Sequence, residues 1–520
     1  QTTRSIITQT DEWQIGGVIM PDFKTYHAFM DEISSKDIYT GLLGQGLFSE
    51  KLPPIFTSKE FCNFCLNNHP NFPKKEMGYV FYENMRNINI PRPLGIPNPV
   101  AYHHLCQAIS DNWDKLQAYF KTQTENQSYK ISRIHIRKRL GSSKLFEMNY
   151  SNWKIDGSPE PDLLIGMRYM VNADISNCFP SIYSHSLSWA LVGKDVAKQN
   201  RNNHNEWYNK LDFYTRNIKR GETHGLLIGP HASNLLSEIT LTKVDKALYD
   251  KGFRFIRNID DYTCYTQSYE EAQDFLLKLS ACLRYFDLTL NHKKTKISEL
   301  PIASTEQWVR KINTFSSFDM KDKMDYKDVQ AYIDLALELM TQNSENAAIL
   351  KYAIKVLANK KLTDNAKQYL VKTVLHLCII YPYIIPMLEE FIFIPYGVNS
   401  DKIKHISQLI YNEGLFAQNY EAVSFSIYFA IKYNFLLEKI SFDEMKNSNN
   451  AVCLLMAYLY TKKNGKTSDI KPYKEYAKEL ANNEDNFNSF WVFIYECLPK
   501  SYLKDYWKNL KNNGVTFVNI

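Results

Sequence analysis

The spacing of apolar residues changes period once along this chain, and that change limits the folds open to it. Up to about residue 300 strand-like and helix-like segments alternate, whereas beyond Pro301 apolar residues recur at three- and four-residue steps almost throughout. Val329, Tyr332, Ile333, Ala336, Leu339 and Met340 form one such stripe, Ile349, Leu350, Ala353 and Leu357 a second, and Ala366, Tyr369, Leu370, Val374 and Leu377 a third. Amphipathic helices joined by short polar links bury these stripes against one another, as a bundle or as a solenoid. Without a strict sequence repeat both remain open. The expected fold class is α+β, with a mixed domain over 1–300 and an all-helical domain over 301–520.

Composition narrows the class. With 520 residues, 44% hydrophobic and 23% charged, the chain has the make-up of an ordinary globular protein, not of a disordered, fibrous or disulfide-stapled one. A net charge of +6 is spread too thinly to identify a nucleic-acid partner by itself. Nine scattered cysteines and no secretory leader ahead of Gln1 point to a reducing cytoplasm. Cys62 and Cys65 have metal-ligand spacing, but no second close pair accompanies them, so structural thiols are expected. The longest apolar stretch, 375–395, contains Pro382, Pro386, Glu389 and Glu390. It reads as buried helices joined at prolines, and no membrane span is expected.

The first half contains one stretch of informative order. Residues 168–175 read as a strand ending in Asp174, and Pro180 with Ser181 opens a helix through Trp189 and Leu191. Residues 253–256 and 262–265 read as two strands joined through Asp260 and Asp261. Ser268 and Glu271 carry a capping-box signature for a helix with Phe275, Leu276, Leu279 and Leu283 on its apolar face, and 288–290 reads as a fourth strand. Strand, helix, strand, strand, helix, strand is the split βαβ order of a ferredoxin-like sheet. Neighbouring strands lie roughly 4.8 Å apart, so Asp174 would face the Asp260–Asp261 hairpin tip. Two like charges about 4 Å apart repel by roughly 4 kcal/mol at an effective dielectric near 20, which protons or divalent cations must offset. Asp-Asp is also a good solvated turn, and the surrounding motifs decide between the two readings.

Those motifs carry a resemblance. Asp174-Ile175-Ser176-Asn177-Cys178-Phe179-Pro180-Ser181-Ile182-Tyr183-Ser184-His185 resembles the first palm motif of reverse transcriptases, and Asn258-Ile259-Asp260-Asp261 resembles their aromatic-X-Asp-Asp motif. Between them, Gly225-Leu226-Leu227-Ile228-Gly229-Pro230-His231-Ala232-Ser233 is similar to the Gly-rich motif that supports template and incoming nucleotide. After them, Leu290-Asn291-His292-Lys293-Lys294-Thr295 resembles the motif in which a lysine approaches the triphosphate. Upstream, Ile90-Pro91-Arg92-Pro93-Leu94-Gly95-Ile96-Pro97 resembles a fingers segment. Gly193-Lys194-Asp195-Val196-Ala197-Lys198-Gln199-Asn200-Arg201, followed by a helical C-terminal half, is similar to the bacterial abortive-infection (Abi) reverse transcriptases.

The resemblance implies fingers and palm without an ordinary thumb, then HEAT-like helical repeats. It further implies antiphage defence by template-independent, protein-primed DNA synthesis from deoxynucleoside triphosphates, using two Mg²⁺ ions with Mn²⁺ as a substitute. A single-stranded DNA product attached to the protein, a bacterial cytoplasmic setting and a homo-oligomer, trimer or hexamer, belong to the same implication. The rival readings are a conventional RNA-templated DNA polymerase and a non-catalytic nucleic-acid-binding scaffold. Two positions depart from the common pattern: Asn258 stands where an aromatic is usual, and His224 precedes Gly225 where templated enzymes often carry Gln. Both departures weaken template copying more than nucleotidyl transfer.

Residue by residue, the resemblance assigns Asp174, Asp260 and Asp261 to catalysis and metal binding, with the Ile175 carbonyl as a further metal ligand. Ile175, Phe179, Gly229, Pro230, Ser233 and Lys294 are the nucleotide-binding candidates, Phe179 as the ring that excludes a 2′-hydroxyl. Against these stand a plain core Phe, a helix cap at Gly229 and Ser233, and a solvated lysine. Arg133, His135, Arg137, Lys138, Arg139 and Lys144 form one basic window, and Lys194, Lys198, Arg201, Lys210, Arg216, Lys219 and Arg220 another, suited to phosphate contacts. A phenol ionises more readily than an aliphatic hydroxyl, which makes a tyrosine the expected primer. Tyr26, Tyr39, Tyr79 and Tyr82 lie in the N-terminal segment, among 35 tyrosines that mostly serve packing.

Overall fold

The computed structural model describes residues 24–520 apart from 88–89, 134–135, 139–145, 148–156, 204, 318–322 and 439, together with 14–15 and 18–19. His135, Arg139 and Lys144 of the first basic window lie outside the described residues. Four antiparallel strands make the central sheet: β1 (Tyr169–Asp174), β2 (Arg254–Asn258), β3 (Asp261–Thr266) and β4 (Lys296–Glu299), in spatial order β4-β1-β3-β2. Helix α1 (His231–Tyr249) precedes β2, and α2 (Tyr269–Tyr285) follows β3 and packs on β1 and β3. The order is that of the expected split βαβ sheet. Val171 and Ala173 of β1 and Tyr262 and Cys264 of β3 are buried at alternate positions, and Phe275, Leu279 and Leu283 of α2 supply the apolar stripe of that layer.

Three local expectations are corrected. Residues 288–290 form only a single bridge, Ile175 to Leu290, and the sheet edge is β4, whose four residues pair with 169–172 of β1. The helix expected to run from Pro180 through Leu191 is broken into Cys178–Ser181 and His185–Val192. The break arises because the Ile182 carbonyl accepts from the Gly225 N–H (3.0 Å) and the Ser184 N–H donates to Thr223 (2.8 Å). At α2 only half of the capping box forms: Ser268 accepts from the Glu271 N–H, while the Glu271 carboxylate takes the Gln267 N–H instead.

A long hairpin, Tyr79–Asn87 with Ile90–Pro97, lies between the sheet domain and the later helices. On one side the Gly95 N–H donates to the Ile228 carbonyl at 2.8 Å. On the other, the Trp491 indole donates to Ile96 (3.4 Å) and the Asn98 amide bonds Asn488 (2.9 Å). Buried residues from Tyr26 to Phe517 form one continuous core, and 55–57 and 517–519 are tied by backbone bonds of 2.8 and 2.9 Å. The three apolar stripes past residue 325 face inward on Tyr326–Gln342, Ala347–Ala358 and Asp364–Ile380, with Tyr369 only partly buried. Stretch 375–395 is the end of the third helix, a 3₁₀ segment Pro382–Met387 and a wide turn Glu389–Phe393. Among the described residues no helix is long and apolar enough to cross a membrane. Cys62 and Cys65 are buried free thiols, and burial pushes Cys62 up to about 11.

Glu421, at the start of Tyr420–Tyr433, is buried against the hairpin, where it accepts from the Met85 N–H at 2.7 Å and from the Asn84 amide. Burial pushes its carboxyl up from 4.5 to about 7, against the pull of those two hydrogen bonds and of Lys351 and Lys51. A folded value above the unfolded one favours the protonated native state, so this contribution is full below about pH 4.5 and lost as pH rises through about 7. Glu421→Gln is expected to flatten the slope of unfolding free energy across that window in urea titrations; an unchanged slope would contradict the assignment.

Candidate active site

The end of β1 is stitched on both sides. The Ile175 N–H donates to the Asp260 carbonyl at 3.1 Å, and the Asp174 carbonyl accepts from the Asn291 N–H at 2.7 Å. In register, Asp174 stands opposite Asp261, and Asp261 also pairs with Asn258. Ile259 and Asp260 are the two-residue turn between β2 and β3, and Ile259 adopts φ of +59°. Directly opposed residues have Cβ atoms about 4.5–5.5 Å apart, so like charges there are destabilising. The sheet thus brings Asp174, Asp260 and Asp261 to one spot.

The carboxyls register this crowding. Burial, the Asp260 charge and a hydrogen bond with Asp174 push Asp261 up to about 6. Burial and then the Asp174 charge raise Asp260, while Lys294 and Arg92 act against the rise. Lys294 donates to Asp174 Oδ2 at 2.8 Å, and this bond raises the ammonium above its usual value. The lysine side chain stays exposed while Asp174 is buried, so the cation lies at the mouth of the cluster. Arg92, on the long hairpin, is half-buried and feels the Asp260 charge.

The Gly-rich segment lines the same region. Gly225 has φ of +84°, and a Cβ there would meet the Pro180 carbonyl at 2.7 Å. Gly229 has φ of +131°, and its Cβ would lie 3.0 Å from the Gly95 carbonyl. The close approach that requires glycine is therefore at least partly intramolecular, between this loop and the hairpin. Pro230 caps α1, and Ser233 in its first turn is buried, its hydroxyl having no hydrogen-bond partner among the described residues. Phe179 is half-buried on the edge of the core, and its carbonyl accepts from the Leu226 N–H at 2.8 Å. Ile175 is buried at the strand end.

Other expected contributors lie elsewhere. Arg133 and Arg137 are buried, Arg133 donating to the Gly157 carbonyl, and Lys138 pairs with Asp37. Arg220 bonds Ser489 at 2.9 Å and lies over the Tyr79 ring. These members of the basic windows hold the fold together rather than form a free phosphate-binding face. Tyr26, Tyr39 and Tyr82 are core residues, and Tyr79 is half-buried.

Sequence reasoning missed the residues behind the turn. Arg257 is fully buried between Glu238 and Asp245 of α1, with ion-pair distances of 2.7 Å to each. The available signal was two acidic residues seven apart on α1, among Leu235, Leu236, Ile239, Leu241 and Val244, which places them two turns apart on an apolar face.

An all-oxygen donor set whose members repel one another fits a hard divalent cation such as Mg²⁺. Among the described residues no three His, Cys, Asp or Glu side chains already close into a ligand cage, Asp174 being neutralised by Lys294 instead. Asp174, Asp260 and Asp261 are the residues that could hold an ion. Binding must expel the proton that Asp261 retains below about pH 6. Mn²⁺ affinity measured by calorimetry is expected to be flat above about pH 7 and to weaken by up to roughly tenfold per unit below about 6. A pH-independent affinity would contradict this coupling.

Comparison with known proteins bears on the same segment. No curated protein matches the chain. Residues 159–314, less than a third of the chain, match the family described as reverse transcriptase (RNA-dependent DNA polymerase), a span that contains β1 to β4 and all three carboxylates and supports a nucleotidyltransferase activity of reverse-transcriptase type.

Proposed function

We propose that the chain is an antiphage polymerase of the abortive-infection kind, which adds deoxynucleotides without a template onto a hydroxyl of its own. The observation that carries the nucleotidyl-transfer part is the meeting of Asp174, Asp260 and Asp261 at the end of the central strand. In this reading Asp174 and Asp260 hold a pair of Mg²⁺ ions, with Asp261 and the Ile175 carbonyl in support and Mn²⁺ as a substitute. Such ions, when bound, activate the attacking oxygen and stabilise the departing one in phosphoryl displacement. Lys294, at the mouth of the cluster, exchanges Asp174 for triphosphate oxygens as substrate enters. Phe179 sets the floor under the sugar. Gly229, Pro230 and Ser233 shape the wall beside the nascent base.

Template independence is supported by Asn258 and His224, which replace residues that templated enzymes commonly use. Self-priming rests on the likeness alone, and burial of Tyr26, Tyr39 and Tyr82 leaves Tyr79 as the accessible one of those four. The division into 1–300 and 301–520, a HEAT-like character for the helices, a homo-oligomer and a bacterial cytoplasmic setting complete the proposal.

Purified protein incubated with Mg²⁺ and labelled deoxynucleotides, with no template, is expected to carry label on the polypeptide. Complementary preference on defined homopolymers would instead establish conventional RNA-templated DNA synthesis. Asp260→Ala is expected to lower incorporation by at least about a thousandfold while the protein stays folded, because an essential carboxylate is gone; full activity would refute the site. Phe179→Ala is expected to admit ribonucleotides, read as the ratio of ribo- to deoxynucleotide incorporation, and an unchanged ratio would contradict the steric role.

A further inference from the structure

Arg257 has no place in the chemistry just described, yet every donor it owns is used. Its guanidinium offers five N–H groups. Nε donates to Asp245 at 3.0 Å, and Nη2 donates to Asp245 Oδ2 at 2.7 Å and to Glu238 Oε2 at 3.2 Å. Nη1 donates to Glu238 Oε1 at 2.7 Å and, with its remaining hydrogen, to the Ile259 carbonyl at 2.7 Å. Glu238 Oε2 also accepts from the Tyr26 hydroxyl (3.0 Å) and the Ser132 hydroxyl (2.9 Å). The backbone of Arg257 is fixed as well: its N–H donates to Ile131 and its carbonyl accepts from Arg133.

Among the described residues the guanidinium grips one backbone group, the carbonyl of Ile259, and Ile259 is a residue ill suited to its conformation. Its φ of +59° lies in the left-handed region, where a β-branched side chain is a true outlier. A two-residue hairpin turn with positive φ at its first position normally takes glycine there. Strain of this kind persists only where surroundings over-determine it. Here the next residue is Asp260, whose own carbonyl is pinned by the Ile175 N–H across the sheet. Asp260 is thus held from both sides, through Ile259 by Arg257 and through its own carbonyl by the strand that carries Asp174.

We propose that Arg257, locked by Glu238 and Asp245, is a positioning residue that holds the Ile259–Asp260 turn in its left-handed form and so aims the Asp260 carboxylate at a divalent cation shared with Asp174. The inference rests on the reading of the carboxylates as a cation site, but not on what that site synthesises. A lysine cannot replace the guanidinium, since three rotatable donors on one nitrogen cannot span two carboxylates and a carbonyl in a fixed plane.

The test measures Mn²⁺ affinity by calorimetry and nucleotide incorporation in parallel, on the full chain. Arg257→Lys is expected to weaken Mn²⁺ binding about tenfold or more. Adding Ile259→Gly in the same chain removes the conformational cost that the clamp offsets, and is expected to recover most of the lost affinity. An ion-pair network serving stability alone would give a lower melting temperature, unaltered Mn²⁺ affinity and no rescue by glycine, which would overturn the proposal. If Arg257→Lys does not fold, Asp245→Asn, which weakens one anchor of the guanidinium, is read in the same way. The expected affinity pattern with no nucleotide incorporated by the wild type would leave the positioning role standing and remove the polymerase reading. Incorporation by the wild type without the affinity pattern would do the reverse.

Discussion

Mutual repulsion among Asp174, Asp260 and Asp261 is the constraint around which the sheet domain is arranged. Pairing β1 with β3 sets two carboxylates face to face, and the hairpin turn adds a third. The surroundings oppose the resulting field without cancelling it: Lys294 takes one oxygen of Asp174, Arg92 approaches from the long hairpin, and Asp261 keeps its proton up to about pH 6. A fold shaped only for stability would have no use for such an arrangement, because apolar residues at the same positions would avoid the repulsion. The cluster has cations at its rim, Lys294 and Arg92, and a hydrogen-bonded turn behind it.

Rigidity comes from outside the sheet. The guanidinium of Arg257 joins α1 to the turn, and Glu238 carries the connection on to Tyr26, near the start of the described chain. The long hairpin reaches the site from another direction, bonded to the Gly-rich loop at Gly95 and Ile228 and to the later helices through Glu421, Asn488 and Trp491. Helices that contribute no residue to the carboxylate cluster are therefore mechanically connected to it. Tyr420–Tyr433 and Glu484–Cys497 both pack on the hairpin that carries Arg92.

What could be read from the sequence follows from the range of the interactions involved. Local order was legible: alternation in β1 and β3, the stripes on the later helices and the Asp-Asp turn all depend on neighbours a few residues away. The fourth strand was misplaced because 288–290 has strand-like side chains, but its backbone is used to pin the Asp174 strand end, and pairing resumes only at Lys296. The helix after Phe179 was drawn too long because the loop at 223–225, distant in sequence, takes its backbone bonds. Arg257 carries no local signal that sets it apart from other basic residues. Its role depends on two acids from a helix and a strained carbonyl two residues along its own chain, a combination that appears only when three elements meet. Arg133 and Arg137 of the first basic window show the complementary limit, since charge in a list of letters does not reveal that a guanidinium is buried.

The central claim is that these three aspartates converge to share divalent metal, and crystals soaked in Mn²⁺ test it most directly through anomalous scattering. The account predicts a peak within ligand distance of Asp174 and at least one of Asp260 and Asp261, with Lys294 displaced from Asp174. Manganese bound only elsewhere, with the Lys294 to Asp174 bond intact at saturating ion, would contradict it.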